Sequence, residues 1–218
     1  LRRGEMASCN EIPHVPYYGS VDATPLFLVL LGEAVRWTGD LNLARELLPA
    51  AERALHWIDE YGDCDGDGFV EYAPRTPKGL LNQGWKDSGD GVCYPDGSMP
   101  RHPIALVEVQ GYVFDAKMRM AELYAALGRP EQADRLRAEA EGLRVRINEA
   151  FWMEDQGFYG LALDGDKQLL PTMASNPGHL LWSGVPDHEQ ARRMADQLLG
   201  DEFFSGWGVR TLARHQPI

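Results

Sequence analysis

A short joint between two helical segments recurs three times along the chain, and it limits the folds that the chain can adopt. The joint reads TGDLNLARELL from Thr38, LGRPEQADRLR from Leu127 and SGVPDHEQARRMA from Ser183. In each copy a glycine closes one helix, and a capping residue or a proline opens the next one. Tight turns of this kind predict antiparallel helix pairs. Three of them predict an all-α array of about three helical hairpins.

Apolar residues recur at helical spacing on both sides of these joints. Segments 63–72 and 154–167 are rich in aspartate and glycine, and they predict short β-hairpins between the helix pairs. The predicted helices cover about 24–37, 41–61 with a cap at Asp40, 104–127, 130–151, a short stretch after Pro177, and 187–199.

The links between the predicted helix pairs are long, uneven and rich in Gly, Trp, Tyr and Asp. An open helical solenoid usually has a fixed period and short links, whereas long polar and aromatic loops usually carry function. These links favour a closed helical toroid with a site at one rim. We expect residues 1–218 to form a single domain.

Charge and composition exclude several classes of protein. The formal net charge of -12 repels nucleic acids and anionic membranes, which leaves sugars and cations as partners. The longest apolar run, 25–31, is too short to span a bilayer. Cys9, Cys64 and Cys93 contain no CxxC pair, so we expect no disulfide framework, no zinc site and a cytoplasmic location. Since the chain does not begin with methionine, we expect it to be an excised or processed piece.

The segment DCDGDGFVEY partly matches a calcium-binding loop. Asp63, Asp65 and Asp67 occupy positions 1, 3 and 5 of an EF-hand pattern, but position 12 is Pro74 instead of a bidentate glutamate. Glu71 supplies one further oxygen ligand for a looser cage. Two interpretations stay open, a structural aspartate–glycine turn and a calcium site.

The segment NQGWKDSGDG, residues 82–91, is too rich in glycine for a helix or a strand. A glycoside hydrolase needs one protonated carboxyl group beside the leaving oxygen and a second carboxylate across the sugar ring. Burial against Trp85 would raise the pKa of Asp87 and suit it to the first role. The alternative is a solvated turn.

Two other segments also have two interpretations each. Asp22 either caps the helix that follows it or, with Tyr18, faces a sugar. Glu108 either complements the dipole of its helix or, with Gln110 and Tyr112, binds sugar hydroxyls. A lone histidine near a helix start, such as His179, is usually structural.

Seven stretches, taken together and in order, resemble one family. They are RRGEMASCNEIP, YYGSVDATPLF, DGDGFVEY, NQGWKDS, EVQGYVFDA, SNPGHLLWSG and GWGVRTL. The chain resembles the catalytic domain of bacterial amylo-α-1,6-glucosidases of the glycogen-debranching type. These are (α/α)6-barrel glycoside hydrolases, in a clan that also contains trehalases, glucoamylases and mannosylglycerate hydrolases.

The resemblance implies roles for particular residues. Asp87, in Trp85-Lys86-Asp87, corresponds to the general acid of that group. The implied sugar-binding residues are Tyr18, Asp22, Gln83, Trp85, Lys86, Glu108, Gln110, Asn176, His179, Trp207 and Arg210. The general base of these enzymes is a glutamate in a later segment that this chain lacks, and three hairpins are half of a six-hairpin toroid.

The resemblance therefore predicts the central part of an α-glucosidase that acts by inversion and needs no cofactor. One alternative is an inert carbohydrate-binding remnant, and another is a helical-repeat scaffold that binds a peptide. Helix faces that the missing half would cover predict self-association.

Overall fold

The computed structural model describes residues 19–75 and 79–216, and six α-helices dominate this part of the chain. Tyr18, one of the predicted sugar-binding residues, lies outside it. The helices are α1 (Ala23–Thr38), α2 (Leu41–Trp57, continued by a π-helical turn at Ile58–Gly62), α3 (Val107–Ala126), α4 (Pro130–Phe151), α5 (His179–Ser183) and α6 (His188–Leu199).

The joint between α1 and α2 forms as its sequence predicts. Gly39 adopts a φ of 70°, and its N–H closes α1 by bonding to the Val35 carbonyl. The Asp40 side chain then accepts bonds from the N–H groups of Asn42 and Leu43, which opens α2. Because glycine pays little for a positive φ, the chain reverses within two residues.

Helix α3 is the centre of the structure. It packs against α1 on one side and α4 on another, and residues 107–117 are all buried. Helix α4 is buried along one stripe that includes Leu136, Leu143 and Ile147. The spacing of that stripe is the helical period, so the sequence predicted this face correctly.

The third helix begins later than the sequence predicts. Ile104 pairs with Tyr72 through two backbone hydrogen bonds of 2.9 and 3.1 Å. Ala105–Leu106 form strand β1, which pairs with Ala162–Leu163, and α3 begins only at Val107. These pairings hold 104–106 extended, although the residues are apolar enough to continue a helix.

Short antiparallel strands fill the region between α4 and α5. Strand β2 (Trp152–Met153) pairs with β3 (Phe158–Tyr159), and β4 (Ala162–Leu163) lies between β1 and β5 (Leu169–Leu170). These strands confirm the predicted hairpins at 154–167. Segment 63–72 differs, because the Asp63 carboxylate there binds the N–H groups of Gly66 and Gly68 and makes a turn, not a hairpin.

The protein is thus all-α with short strands, and its architecture is that of a helical (α/α)-barrel-like fragment. Among the residues that the structure describes, no helix has both the length and the apolar character needed to cross a membrane.

Candidate active site

Side chains from α3 and from the start of α5 meet at the N-terminal end of α3. Glu108 and Tyr112 lie one turn apart on α3 and therefore share a face. Asn176 lies in a 3-10 turn just before α5, and its Nδ2 donates to Glu108 Oε1 over 2.6 Å. The Tyr112 hydroxyl lies 2.7 Å from Nδ1 of His179, the first residue of α5.

Gly111 permits the close approach of the two helices. A Cβ atom at this position would lie 2.6 Å from Leu180 Cδ2 and 2.9 Å from Ser183 Oγ, both on α5. Any larger side chain would push α5 away from α3. The glycine of EVQGY thus sets the distance across the site.

Glu108 is the most strongly perturbed carboxyl group of this cluster. It is fully buried, and its Oε2 atom has no hydrogen-bond partner. Burial raises the pKa of Glu108 to about 7, although the bond from Asn176 and the charge of Lys86 oppose the shift. Near neutral pH both the neutral and the ionised form of this side chain are therefore populated.

Aromatic rings form one wall beside this carboxyl group, which we call the aromatic wall: Trp85, Tyr112, His179 and Trp182. The His179 ring centre lies 6.0 Å from that of Trp85 and 5.7 Å from that of Tyr112. The Tyr112 and Trp182 ring centres are 6.3 Å apart. Trp85 and Trp182 are 45% and 57% exposed, so part of each side chain is accessible to a ligand.

Lys86 places a cation at the same wall. Its Nζ lies 5.2 Å from the ring centre of Trp85 and donates to the Thr211 carbonyl over 3.0 Å. Burial lowers the pKa of Lys86, and the negative charge of Glu108 opposes that shift. Burial also lowers the pKa of His179, and the Lys86 ammonium adds to the effect.

Asp87 and Asp22 supply two further carboxylates. Asp87 is exposed on the 82–91 loop, so the expected burial against Trp85 is not seen, and its role as general acid stays a prediction. Asp22 precedes α1, but its side chain caps none of the N–H groups of that helix; instead it accepts a short bond from the Ser20 hydroxyl. Its negative charge contributes to the raised pKa values of Glu108 and Tyr112, which places Asp22 near the cluster.

Four other predicted sugar-binding residues have their side chains directed elsewhere. The buried Gln110 side chain bonds to both the N–H and the carbonyl of Val70. Gln83 donates to the Ala73 carbonyl over 3.3 Å. Arg210 donates to the Asp201 carbonyl, and Trp207 is fully exposed. Sugar binding by these four residues stays a prediction.

Two contacts of the site were not predicted from the sequence. The Thr211 carbonyl binds Lys86, and the buried Asn82 side chain bonds to the 82–91 loop itself. No local pattern marks a backbone carbonyl as a partner. Asn82 carries a signal, because an asparagine at the start of a glycine-rich loop often bonds to nearby backbone groups.

The predicted calcium loop is organised around a lysine. Lys167 Nζ lies 2.6 Å from Asp65 Oδ2, 2.6 Å from Asp67 Oδ2 and 2.5 Å from Glu71 Oε1. Burial alone would lower the pKa of Lys167, but its bonds to three carboxylates raise it. Oxygens of Asp63, Asp65 and Glu71 also lie within 4.8 Å of one another, as a metal ion would require. Calcium binding at this loop stays a prediction.

Comparison with known proteins establishes the class, which is a glycoside hydrolase domain of the helical-barrel type. The family model described as "Mannosylglycerate hydrolase MGH1-like glycoside hydrolase domain" matches residues 10–218, and the chain belongs to this family. The expected class is therefore confirmed. Debranching of glycogen is a finer statement that the match does not make. No curated protein matches the chain.

Solved structures share the fold at low sequence identity. An uncharacterized conserved protein from Thermus thermophilus matches with a TM-score of 0.69 and 15% identity, over 93% of this chain and 59% of that one. A GH78 family rhamnosidase of Bacillus sp. GL1 matches with a TM-score of 0.62 and 20% identity, over 89% and 20%. The neutral trehalase of Saccharomyces cerevisiae matches with a TM-score of 0.50 and 16% identity, over 64% and 26%. The chain thus spans less than two thirds of each of these proteins.

Proposed function

We propose that the chain carries the acid side of a glycoside hydrolase active site, which hydrolyses an α-glucosidic bond of a glucan or a small glucoside with inversion. The observation that carries the proposal is the position of the 82–91 loop, whose Trp85 belongs to the aromatic wall while Asp87 is exposed two residues further along the loop. An exposed carboxyl two residues from a ring of the aromatic wall is accessible to the oxygen that joins two sugars.

The proposed reaction gives each group one task. Asp87 donates a proton to the glycosidic oxygen as the bond to the sugar breaks. A water molecule attacks the anomeric carbon from the opposite face, which requires a second carboxylate at about 6.5–9.5 Å from the first. The faces of Trp85 and Trp182 pack against the sugar, while the buried Glu108 carboxyl is held by the Asn176 amide. The proposal assigns no residue of this chain to the second carboxylate.

A second substrate, a mannosylglycerate, is favoured by the family match and by Lys86. The family name refers to a sugar linked to glycerate, which carries a carboxylate. The Lys86 ammonium beside Trp85 provides a positive charge of the kind that would hold such a group. The two substrates share the proposed acid and differ in what lies beyond the scissile bond.

The test is turnover by the full-length protein on α-1,6-linked and α-1,4-linked glucosides and on mannosylglycerate, with the first-formed anomer identified by NMR. We expect the β anomer of glucose first. We expect Asp87→Asn to lower kcat by about 10³-fold, because general acid catalysis contributes on the order of 10²–10⁴. Asp90→Asn, at another exposed aspartate of the same loop, is the matched control and should leave kcat unchanged.

Three results would contradict the proposal. A near-normal rate for the Asp87→Asn enzyme would show that Asp87 is not the general acid. A first product with the α configuration would show that the reaction does not proceed with inversion. Sugar binding without turnover by the full-length wild type would favour the inert carbohydrate-binding remnant.

A further inference from the structure

We propose that the side-chain amide of Asn82 is the positioning group that fixes the geometry of the loop carrying Asp87. The inference rests on the proposed role of Asp87 and assigns a residue that the resemblance leaves without a task. Asn82 is only 1% exposed, which is unusual for an asparagine and requires that its polar atoms find partners.

Both polar atoms of the Asn82 amide make hydrogen bonds, one as an acceptor and the other as a donor. Oδ1 accepts from the Tyr72 hydroxyl over 3.0 Å. Nδ2 donates to the Ser88 carbonyl over 2.6 Å and to the Gly89 carbonyl over 3.4 Å. Ser88 directly follows Asp87, so the Asn82 side chain holds the backbone next to the proposed acid.

Tyr72, the residue to which Asn82 connects the loop, is held firmly in the core. Tyr72 is 3% exposed, and its backbone N–H and carbonyl both pair with Ile104, at the entry to α3. Asn82 therefore joins the loop to a buried tyrosine and, through it, to Ile104, which lies four residues before Glu108. A short series of hydrogen bonds thus connects the loop that carries Asp87 to the segment that precedes Glu108.

Hydrogen bonds and close packing within the loop also restrict the Ser88 peptide. The Ser88 carbonyl also accepts from the Gly91 N–H over 2.9 Å. A Cβ atom at Gly91 would lie 3.0 Å from the Lys86 carbonyl and 3.1 Å from the Ser88 carbonyl. With two donors on one carbonyl, the Ser88 peptide has little freedom. Loss of Asn82 removes the donor that comes from the core.

A purely structural role for Asn82 would lower stability and leave the chemistry intact in molecules that are folded. A positioning role predicts a loss of kcat with little change in KM, because substrate is still bound while the acid is misplaced. Displacement of a catalytic group by about 1 Å costs on the order of 10²-fold in rate.

The chain offers a matched control at Asn148 on α4. Its Nδ2 donates to the Arg144 carbonyl over 2.8 Å, and its Oδ1 accepts from the Tyr159 hydroxyl over 2.5 Å. Asn82 likewise accepts from a tyrosine hydroxyl and donates to backbone carbonyl groups, so the two amides make the same kinds of bond. Substitutions at Asn148 therefore remove similar bonds without touching the 82–91 loop.

The experiment compares Asn82→Ala and Asn148→Ala in the full-length protein by hydrogen exchange and by kinetics, under conditions where both are folded by circular dichroism. We expect Asn82→Ala to speed exchange in residues 84–91, to lower kcat by roughly 10- to 100-fold and to change KM by about twofold or less. We expect Asn148→Ala to leave loop exchange and kcat at wild-type values.

Asn82→Asp adds a pH-dependent test. The neutral carboxylic acid can donate to the Ser88 carbonyl in place of the amide, whereas the carboxylate would face that carbonyl without a proton. The kcat of this variant should therefore fall as pH rises, more steeply than the kcat of the wild type or of Asn148→Asp.

Unchanged exchange in residues 84–91 of Asn82→Ala would overturn the proposal, as would faster exchange with an unchanged kcat. If the full-length wild type hydrolyses no substrate of the panel, the proposed function fails. Loop exchange alone then decides whether Asn82 holds the loop.

Discussion

Glu108 shows how a single residue acquires chemistry from its surroundings. The sequence left two interpretations, a helix-dipole partner or a sugar-binding group, because its hydrogen-bond partner Asn176 lies far along the chain. The structure buries Glu108 completely and leaves one of its oxygens without a partner. A carboxyl group in this state stays partly protonated at neutral pH, and the folded protein becomes less stable when the group ionises.

The raised pKa of Glu108 predicts a specific dependence of stability on pH. The pKa is about 7 in the folded protein and near 4.5 in a model compound, so the native state binds the proton more tightly than the unfolded state. Stability should therefore fall as pH rises from about 5 to 7 and then level off. Glu108→Gln should remove this fall, which amounts to about 3 kcal/mol. Urea unfolding at several pH values measures it.

The exposed residue Glu149 provides the control for this measurement. Glu149→Gln should follow the wild-type curve of unfolding free energy against pH. Parallel curves for wild type and Glu108→Gln would show that Glu108 does not take up a proton on folding.

At the scale of elements, Lys167 joins the 63–71 loop to the turn between β4 and β5. It lies among the carboxylates that the calcium interpretation of this loop uses as ligands, and its ammonium neutralises carboxylates that would otherwise repel each other. Glu71 among them is buried, and burial raises its pKa although the bond from Lys167 opposes the shift. The lysine thus connects two loops that the sequence separates widely.

Removal of this cation should destabilise the protein and expose a site for a metal ion. Lys167→Met should lower the free energy of unfolding by about 1–3 kcal/mol, a value reduced because Lys167 is partly exposed. Calcium should then raise the melting temperature of the variant, because several carboxylates face one space. Arg101→Met, which breaks an exposed ion pair with Asp166, should have little effect.

Thermal unfolding with and without calcium decides between the two interpretations of this loop. A calcium-dependent rise in the wild type would show that the ion displaces Lys167, as the calcium prediction requires. No response in Lys167→Met would show that the carboxylates do not form a cage.

Local elements could be predicted from the sequence, and long-range contacts could not. The Asp40 cap, Gly39 and the apolar stripe of α4 depend on neighbours within one or two turns, so the local sequence predicts them. The pairing of Tyr72 with Ile104 and the bonds of Lys167 join distant segments. The sequence therefore assigned Ile104 to a helix and the 63–72 turn to a hairpin.

At the scale of the whole molecule, the class was readable because seven stretches match one kind of enzyme in order. The finer activity was not, since it depends on side chains that meet in space. Among the predicted sugar-binding residues, Trp85, Lys86, Glu108, Asn176 and His179 come together, with Asp22 nearby, whereas Gln83 and Gln110 bond to backbone groups elsewhere.

The surface of α1 predicts self-association of the isolated chain. Leu30 and Trp37 lie seven residues apart on one face and are 68% and 85% exposed. Apolar groups of this size on one helix face favour contact with another surface. Sedimentation velocity should show oligomers that grow with concentration. Leu30→Glu should reduce them, and Leu199→Glu on α6 should not; a monomer at every concentration would contradict the prediction.

The central claim is that Asp87 donates the proton to the leaving group, and its most direct test is the dependence of rate on that group. Fluoride leaves without protonation, whereas a sugar alkoxide needs an acid. In the full-length protein we expect Asp87→Asn to hydrolyse α-glucosyl fluoride within about tenfold of the wild-type rate and to lose about 10³-fold on an α-linked glucoside. Equal losses on both substrates, or no loss on either, would contradict the assignment of Asp87 as the general acid.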